Sequence, residues 1–138
     1  MNTYAFDDIH VGLKHSFDVE LTPQMMTLFE RITGDNNPLH TDIAFAQSLG
    51  YKDTVAHGML VNSFYSRLVG LYIPGKQALF HGISASFVAP VFPGDVLNVY
   101  GEVRAVHAIH KQIEIKGVIV NQQGVKVSRA KLKAGTHG

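Results

Sequence analysis

Residues 57–75 read HGMLVNSFYSRLVGLYIPG, and the fold follows from them. From His57 to about Tyr72 the spacing is helical. Met59, Leu60, Phe64, Leu68, Val69, Leu71 and Tyr72 cover more than half of the circumference. A helix apolar over that much of its girth is a core helix, not a surface one. Pro74 and Gly75 end it. Beyond them the character of the chain changes. Residues 77–91, 95–109, 111–121 and 124–134 are rich in Val, Ile and Phe, and many alternate, as Ile113, Ile115 and Gly117 do against Glu114 and Lys116. Short turns separate them: Phe92-Pro93-Gly94-Asp95, His110-Lys111, and residues 121–124. Strand runs joined this way form an antiparallel sheet. One buried helix against one curved antiparallel sheet is an α+β layout.

Upstream of the helix, residues 15–21 alternate, with Phe17, Val19 and Leu21 on one side and Ser16, Asp18 and Glu20 on the other. Period two marks a half-buried strand. Thr22 then reads as an N-cap, with Pro23 at the first helical position. Met25, Met26, Leu28, Phe29 and Ile32 form a helical stripe, and Gly34 stops it. Residues 34–41, GDNNPLHT, are loop-forming. Residues 42–49 read as a short helix capped by Asp42 and ended by Gly50, and a polar loop follows. There is no repeat and no low-complexity linker, so residues 1–138 are expected to form a single domain. The long strands leave edges to cover, and one helix covers one sheet face. Dimerisation through a sheet edge or the helix answers both needs.

Composition excludes several classes of function. There is no cysteine among the 138 residues, so disulfides, thiolate nucleophiles and zinc–cysteine sites are out. Net charge is +1 with neutral histidines, and no basic block points to nucleic acid. The start, MNTYAFDDIH, lacks the basic and apolar segments of a signal peptide. The greasiest stretch, from Met59 to Ile73, is too short to span a bilayer and contains Asn62, Arg67 and Gly70. A cytoplasmic protein is expected.

Eight histidines offer chemistry. His10, His15, His107, His110 and His137 fall near termini or in strands and turns, and read as surface or structural. His81 lies on a strand and either face is open to it. His40 and His57 remain. Asp35 and His40 bracket the loop shaped by Gly34 and Pro38, which can aim both side chains into one cleft. The plainer reading is that Asp35 caps a turn and His40 is an ordinary loop residue. Gly58 begins the core helix. Its backbone N–H groups are unshielded there, and the helix dipole favours negative charge. The plainer reading is a glycine cap with His57 as a structural hydrogen-bonder.

The pattern as a whole narrows these choices. Gly34-Asp35-x-Asn37-Pro38-Leu39-His40, then His57-Gly58-Met59-Leu60, then Phe87-x-x-Pro90-Val91-x-x-Gly94-Asp95, in that order, resemble the MaoC-like, (R)-specific enoyl-CoA hydratase (hydratase 2) family. The resemblance runs over roughly residues 10–134.

It implies a hot-dog fold, an antiparallel sheet wrapped around a long central helix, and a homodimer or higher homo-oligomer. It implies hydration of trans-2-enoyl-CoA to the (R)-3-hydroxyacyl thioester, or the reverse dehydration. The implied catalytic groups are Asp35, His40 and the Gly58 N–H as oxyanion donor. His40 is assigned as water activator and Asp35, as a partly buried carboxyl, as proton donor, with the roles open to exchange. Asn37, His57, Asn62 and Ser66 are the substrate-binding candidates, Asn37 chiefly as the residue that orients the loop and its hydrogen bonds. Ser66 matches a serine on the family's central helix. Asn62 departs from the small residue common there, which bears on the acyl pocket. No cofactor and no metal are expected; acyl-CoA or an acyl-carrier-protein thioester is the substrate. The alternatives are a 3-hydroxyacyl carrier-protein dehydratase, a hot-dog thioesterase, and a non-catalytic acyl-binding subunit.

Overall fold

The computed structural model describes residues 1–137. Its strands are β1 (Lys14–Glu20), β2 (Ala78–Phe87), β3 (Val96–His107), β4 (Gln112–Val120) and β5 (Lys126–Thr136). Its helices are α1 (Pro23–Thr33), α2 (Pro38–Thr41), α3 (Ile43–Ser48) and α4 (Gly58–Arg67). The strands form one antiparallel sheet in the order β1-β3-β4-β5-β2. No helix among the described residues is long and apolar enough to cross a membrane.

Local chemistry accounts for the boundaries. Thr22 caps α1 by accepting from the Met25 N–H, Pro23 occupies the first turn, and Gly34 ends the helix at φ 78°. Asp42 caps α3 through the Phe45 N–H. Residues 38–41, expected as loop, close one helical turn instead, because the Asn37 side chain accepts from the Leu39 N–H and Pro38 is preset for the first helical position. The core helix is also not uniform. Past Arg67 it widens to a π-helical turn over Leu68–Tyr72, in which the Ile73 N–H donates to the Leu68 carbonyl.

The core lies between α4 and one face of the sheet. Leu97, Val99 and Val103 of β3, Ile113, Ile115 and Ile119 of β4, and Leu132 and Ala134 of β5 alternate inward and are fully buried. Two glycines set how α4 crosses this face. Gly101 and Gly117 are register partners on β3 and β4. A Cβ at Gly101 would lie 2.6 Å from Leu68, and one at Gly117 would lie 2.6 Å from Tyr65. The bare backbone is a trough into which the helix lowers its two largest inward side chains.

The helix is not covered all round, as its apolar girth suggested. Leu60, Val61, Asn62 and Tyr65 are buried, but Met59 is 66% exposed and Ser63 and Ser66 are exposed. The inner face of the edge strand β2 is open as well, with Phe80, Ile83 and Phe87 at 39%, 51% and 60% exposure. The apolar face of β2 and Met59 of α4 therefore lie side by side without cover from their own chain, with the serines of α4 beside them.

Candidate active site

The loop between α1 and α3 is held by its own side chains. The Asp35 N–H donates to Thr33 Oγ1 at 3.1 Å, and the Asn37 N–H donates to Asp35 Oδ1 at 3.2 Å. The Leu39 N–H donates to Asn37 Oδ1 at 3.0 Å. Asp35 thus divides its oxygens: Oδ1 closes the turn, and Oδ2 faces His40 Nε2 at 3.9 Å. The plain and the chemical readings of Asp35 are two ends of one carboxylate. The group is half-exposed, at 49%, so the burial expected for it is not supplied by its own chain.

His40 is more enclosed, its side chain 15% exposed. Its Nδ1 lies 2.6 Å from the Val55 carbonyl oxygen. A carbonyl only accepts, so Nδ1 carries the proton and Nε2 presents its lone pair toward Asp35. The Leu39 carbonyl accepts from the Val55 N–H in return, which ties α2 to the segment leading into α4. No sequence signal marks Val55, because its contribution is a backbone carbonyl.

His57 is buried at 3% exposure and precedes α4 directly. Its Nε2 is 3.0 Å from the backbone oxygen of Asp35, and its ring stacks on His40 with centroids 3.9 Å apart. Phe29 of α1 closes the site at 5.0 Å from the His57 ring. Gly58 follows, and no side chain caps the helix there. The first N–H groups of a helix have no intrahelical partner. Phe87 of β2 lies over Gly58 so closely that a Cβ would meet its ring at 2.8 Å. Only glycine leaves that approach open without moving the ring.

These groups share a cavity of about 690 Å³ whose lining includes Asp35, His40, His57, Gly58, Tyr51 and Phe87. That volume is in the range of small-ligand sites. A second cavity of about 460 Å³ adjoins it across Phe29, Met59 and Phe87, and is lined by Asn62 and Ser66. The structure therefore brings Asp35, His40, His57 and Gly58 together, places Asn62 and Ser66 in the neighbouring space, and spends the Asn37 side chain on capping α2. Asn62 is also tied inward: its Oδ1 accepts from Ser128 Oγ at 2.6 Å, and Ser128 Oγ lies 3.0 Å from the Tyr65 hydroxyl. The Phe87-to-Asp95 stretch serves two purposes. Phe87 meets Gly58, whereas buried Asp95 binds the Phe92 N–H and the Gln122 amide, and so shapes the β2–β3 turn.

One donor atom from each of Asp35, His40 and His57 lies within 4.8 Å of the others, which is metal-ligand spacing. The geometry does not converge. His40 Nδ1 and His57 Nε2 are occupied by carbonyls, and rings stacked at 25° send their in-plane lone pairs side by side rather than to one point.

Known proteins are similar to this chain in sequence and in fold. The family model described as MaoC like domain matches residues 8–125. An (R)-specific enoyl-CoA hydratase of Aeromonas caviae is 37% identical over 97 residues, 70% of this chain and 72% of that one. A 3-hydroxybutyryl-CoA dehydratase of Methylorubrum extorquens is 34% identical over 98 residues, 71% of this chain and 62% of that one. Among solved structures, an (R)-hydratase from A. caviae superposes with a TM-score of 0.89 at 30% identity, covering 93% of this chain and 97% of that one. An unliganded (R)-hydratase from Pseudomonas aeruginosa gives the same TM-score at 27% identity over 95% of this chain and 84% of that one. The sheet packed on its central helix is the hot-dog fold. By its matched residues and by its relatives, this chain belongs to the MaoC-like domain family.

Proposed function

We propose that this chain is a hydro-lyase that adds water to trans-2-enoyl-CoA to give the (R)-3-hydroxyacyl-CoA, and runs the reverse dehydration. One observation carries the reading: an imidazole lone pair and a carboxyl oxygen of Asp35 face each other across 3.9 Å beside an uncapped helix start in the same cavity. A water seated to one side of that line can hydrogen-bond to both groups at once, so the pair orients it where neither group alone would.

In the hydration direction, the bridging water gives a proton to His40 Nε2 as its oxygen bonds to C3. The C2–C3 π pair shifts toward the thioester, whose oxygen becomes enolate-like. The Gly58 N–H donates to that oxygen; loss of one such donor costs roughly 3–4 kcal/mol of barrier in comparable sites. Asp35, entering as the acid, gives its proton to C2. The proton on His40 then returns to Asp35 through the next water, and the cycle closes without net proton change. Each transfer contributes about 10²–10⁴-fold.

The CoA handle is favoured because the names of the A. caviae hydratase and the M. extorquens dehydratase, the two sequence relatives reported above, specify CoA substrates. The (R) product rests on the A. caviae relatives' names. A homodimer paired along β2 covers Phe80, Ile83, Phe87 and Met59 at once. Single-domain organisation and a cytoplasmic setting belong to the same proposal.

The test is a spectrophotometric assay with crotonyl-CoA, following loss of the conjugated enoyl absorbance, with chiral analysis of the product. Hydration to the (R) alcohol is the expected result. Release of free CoA without hydration would make the chain a thioesterase, and an (S) product would mean that water attacks the other face.

A further inference from the structure

His57 is bonded and stacked in a way that the chemistry above does not use. It is 3% exposed, its Nδ1 is buried without a partner, and it touches both members of the acid/base pair. Buried polar atoms without partners are uncommon and call for a reason. The reason lies in what the rest of the ring does.

Nε2 sits 3.0 Å from the Asp35 carbonyl oxygen, which can only accept. The proton is therefore on Nε2, and the orphaned Nδ1 is a bare lone pair. The other charged or titratable groups on the cavity wall are Asp35, His40 and Tyr51; Phe29, Phe87, Val91 and Val127 supply apolar wall. Meanwhile the flat face of His57 lies 3.9 Å from His40, inclined by 25°. His57 is also covalently joined to Gly58. One ring thus fixes the backbone at Asp35, the plane of His40 and the start of the helix whose N–H meets the thioester oxygen.

We propose that His57 is a positioning residue that sets the Asp35–His40 separation through one donated hydrogen bond and one stacked face. This rests on the hydratase reading above, and it replaces substrate binding as the role of His57. The imidazole combines the two contacts in one small ring, which the larger indole and phenol rings cannot do in the same buried space without displacing their neighbours. Glutamine keeps an N–H for the Asp35 carbonyl but loses the stack. Phenylalanine keeps the stack but leaves that carbonyl unpaired. Misplacing a catalytic group by about 1 Å costs on the order of 10²-fold.

The experiment compares His57→Gln and His57→Phe with wild type in the crotonyl-CoA assay, with circular dichroism to show that each is folded. In addition, long-range ¹H–¹⁵N spectra of the imidazoles above pH 8 assign the tautomers. Expected are an Nε2–H tautomer for His57 and an Nδ1–H tautomer for His40. His57→Phe is expected to lose about 100-fold in kcat and His57→Gln about 10-fold, with KM within threefold of wild type in both. An Nδ1–H tautomer at His57, a loss confined to KM, or a Phe variant as active as the Gln variant overturns the proposal. If the wild type hydrates no enoyl thioester, the hydratase reading fails first. The tautomers then decide the geometric part alone: Nε2–H at His57 retains it, and Nδ1–H rejects it.

Discussion

Replacing Ser128 with alanine is predicted to destabilise the protein by more than its size suggests. Ser128 is fully buried on β5, between two groups of α4. Its single hydroxyl proton goes to Asn62 Oδ1 at 2.6 Å, so the Tyr65 hydroxyl at 3.0 Å must be the donor to Ser128 Oγ. Alanine removes the middle of this chain and orphans both ends. Each buried group left unpaired costs about 1–3 kcal/mol, so the two sum to about 2–6 kcal/mol, and about 3 kcal/mol is expected because Asn62 lines the second cavity. For a domain of this length that lowers Tm by roughly 10 °C. Tyr65→Phe removes only one end and is expected to cost about 1 kcal/mol. The assay is urea unfolding followed by far-ultraviolet circular dichroism at fixed protomer concentration, because association adds to apparent stability. In the Tyr65→Phe background, Ser128→Ala is expected to cost about 1–2 kcal/mol less than in wild type, since one orphan is already gone. A Ser128→Ala cost below about 0.5 kcal/mol, the scale of an ordinary surface change, with no coupling to Tyr65, would refute the reasoning.

Three further outcomes are expected. Burial pushes the Tyr65 phenol from 10.0 up to about 12. The folded state keeps a proton that the unfolded chain releases above pH 10, so this contribution is complete below pH 10 and is lost as pH rises through 12. It amounts to about 3 kcal/mol, and Tyr65→Phe should remove that part of the alkaline slope in unfolding free energy measured between pH 9 and 12. Gly117→Val drives a Cβ to 2.6 Å from the Tyr65 ring and is expected to lower stability by about 1–3 kcal/mol in the same urea assay. Gly58→Ala keeps the donor N–H but pushes against the Phe87 ring at 2.8 Å. Phe87 must yield on the face that the proposed dimer covers, so unfolding at fixed protomer concentration should cost about 1–3 kcal/mol and kcat should fall at least about tenfold.

Much of the fold was legible because it follows from periodicities. The alternating residues of β1, β3 and β4, the helix α1 with Thr22 and Gly34 at its ends, and the apolar stretch from Leu60 to Val69 each report a local preference that the structure keeps; the stripe of α1 is kept only in part, since Met26 is buried but Leu28 and Ile32 face outward. What was hidden depends on contacts distant in sequence. Gly101 and Gly117 look like weak points within strands until their register opposes them beneath Leu68 and Tyr65. A lone glycine in a strand does signal close backbone approach, but not what approaches. The girth of α4 overstated its burial because Met59 faces the open side beside β2. The π-helical turn after Arg67 leaves no mark that separates it from an ordinary last turn.

The candidate site divides in the same way. The Gly34-to-His40 motif and Gly58 were visible as residue types, and their proximity could be expected only through the resemblance. The division of Asp35 between a turn and His40 depends on which oxygen points where. The tautomer of His40 depends on the Val55 carbonyl, which composition cannot display. Asn37 reads as the residue that orients the loop, with a lesser claim on substrate, and its Oδ1 does close α2, because a side-chain oxygen two residues before a free N–H satisfies it locally.

The account stands on Asp35 and His40 acting as one unit across their 3.9 Å gap. The most direct test measures kcat for crotonyl-CoA hydration by wild type, Asp35→Asn, His40→Gln and the double variant, each shown to be folded. Groups that act together are not additive. Each single variant is expected to lose at least about 100-fold in kcat, and the double variant to be little worse than the poorer single. Near-wild-type turnover in either folded single variant, or losses that multiply in the double, would contradict the paired mechanism.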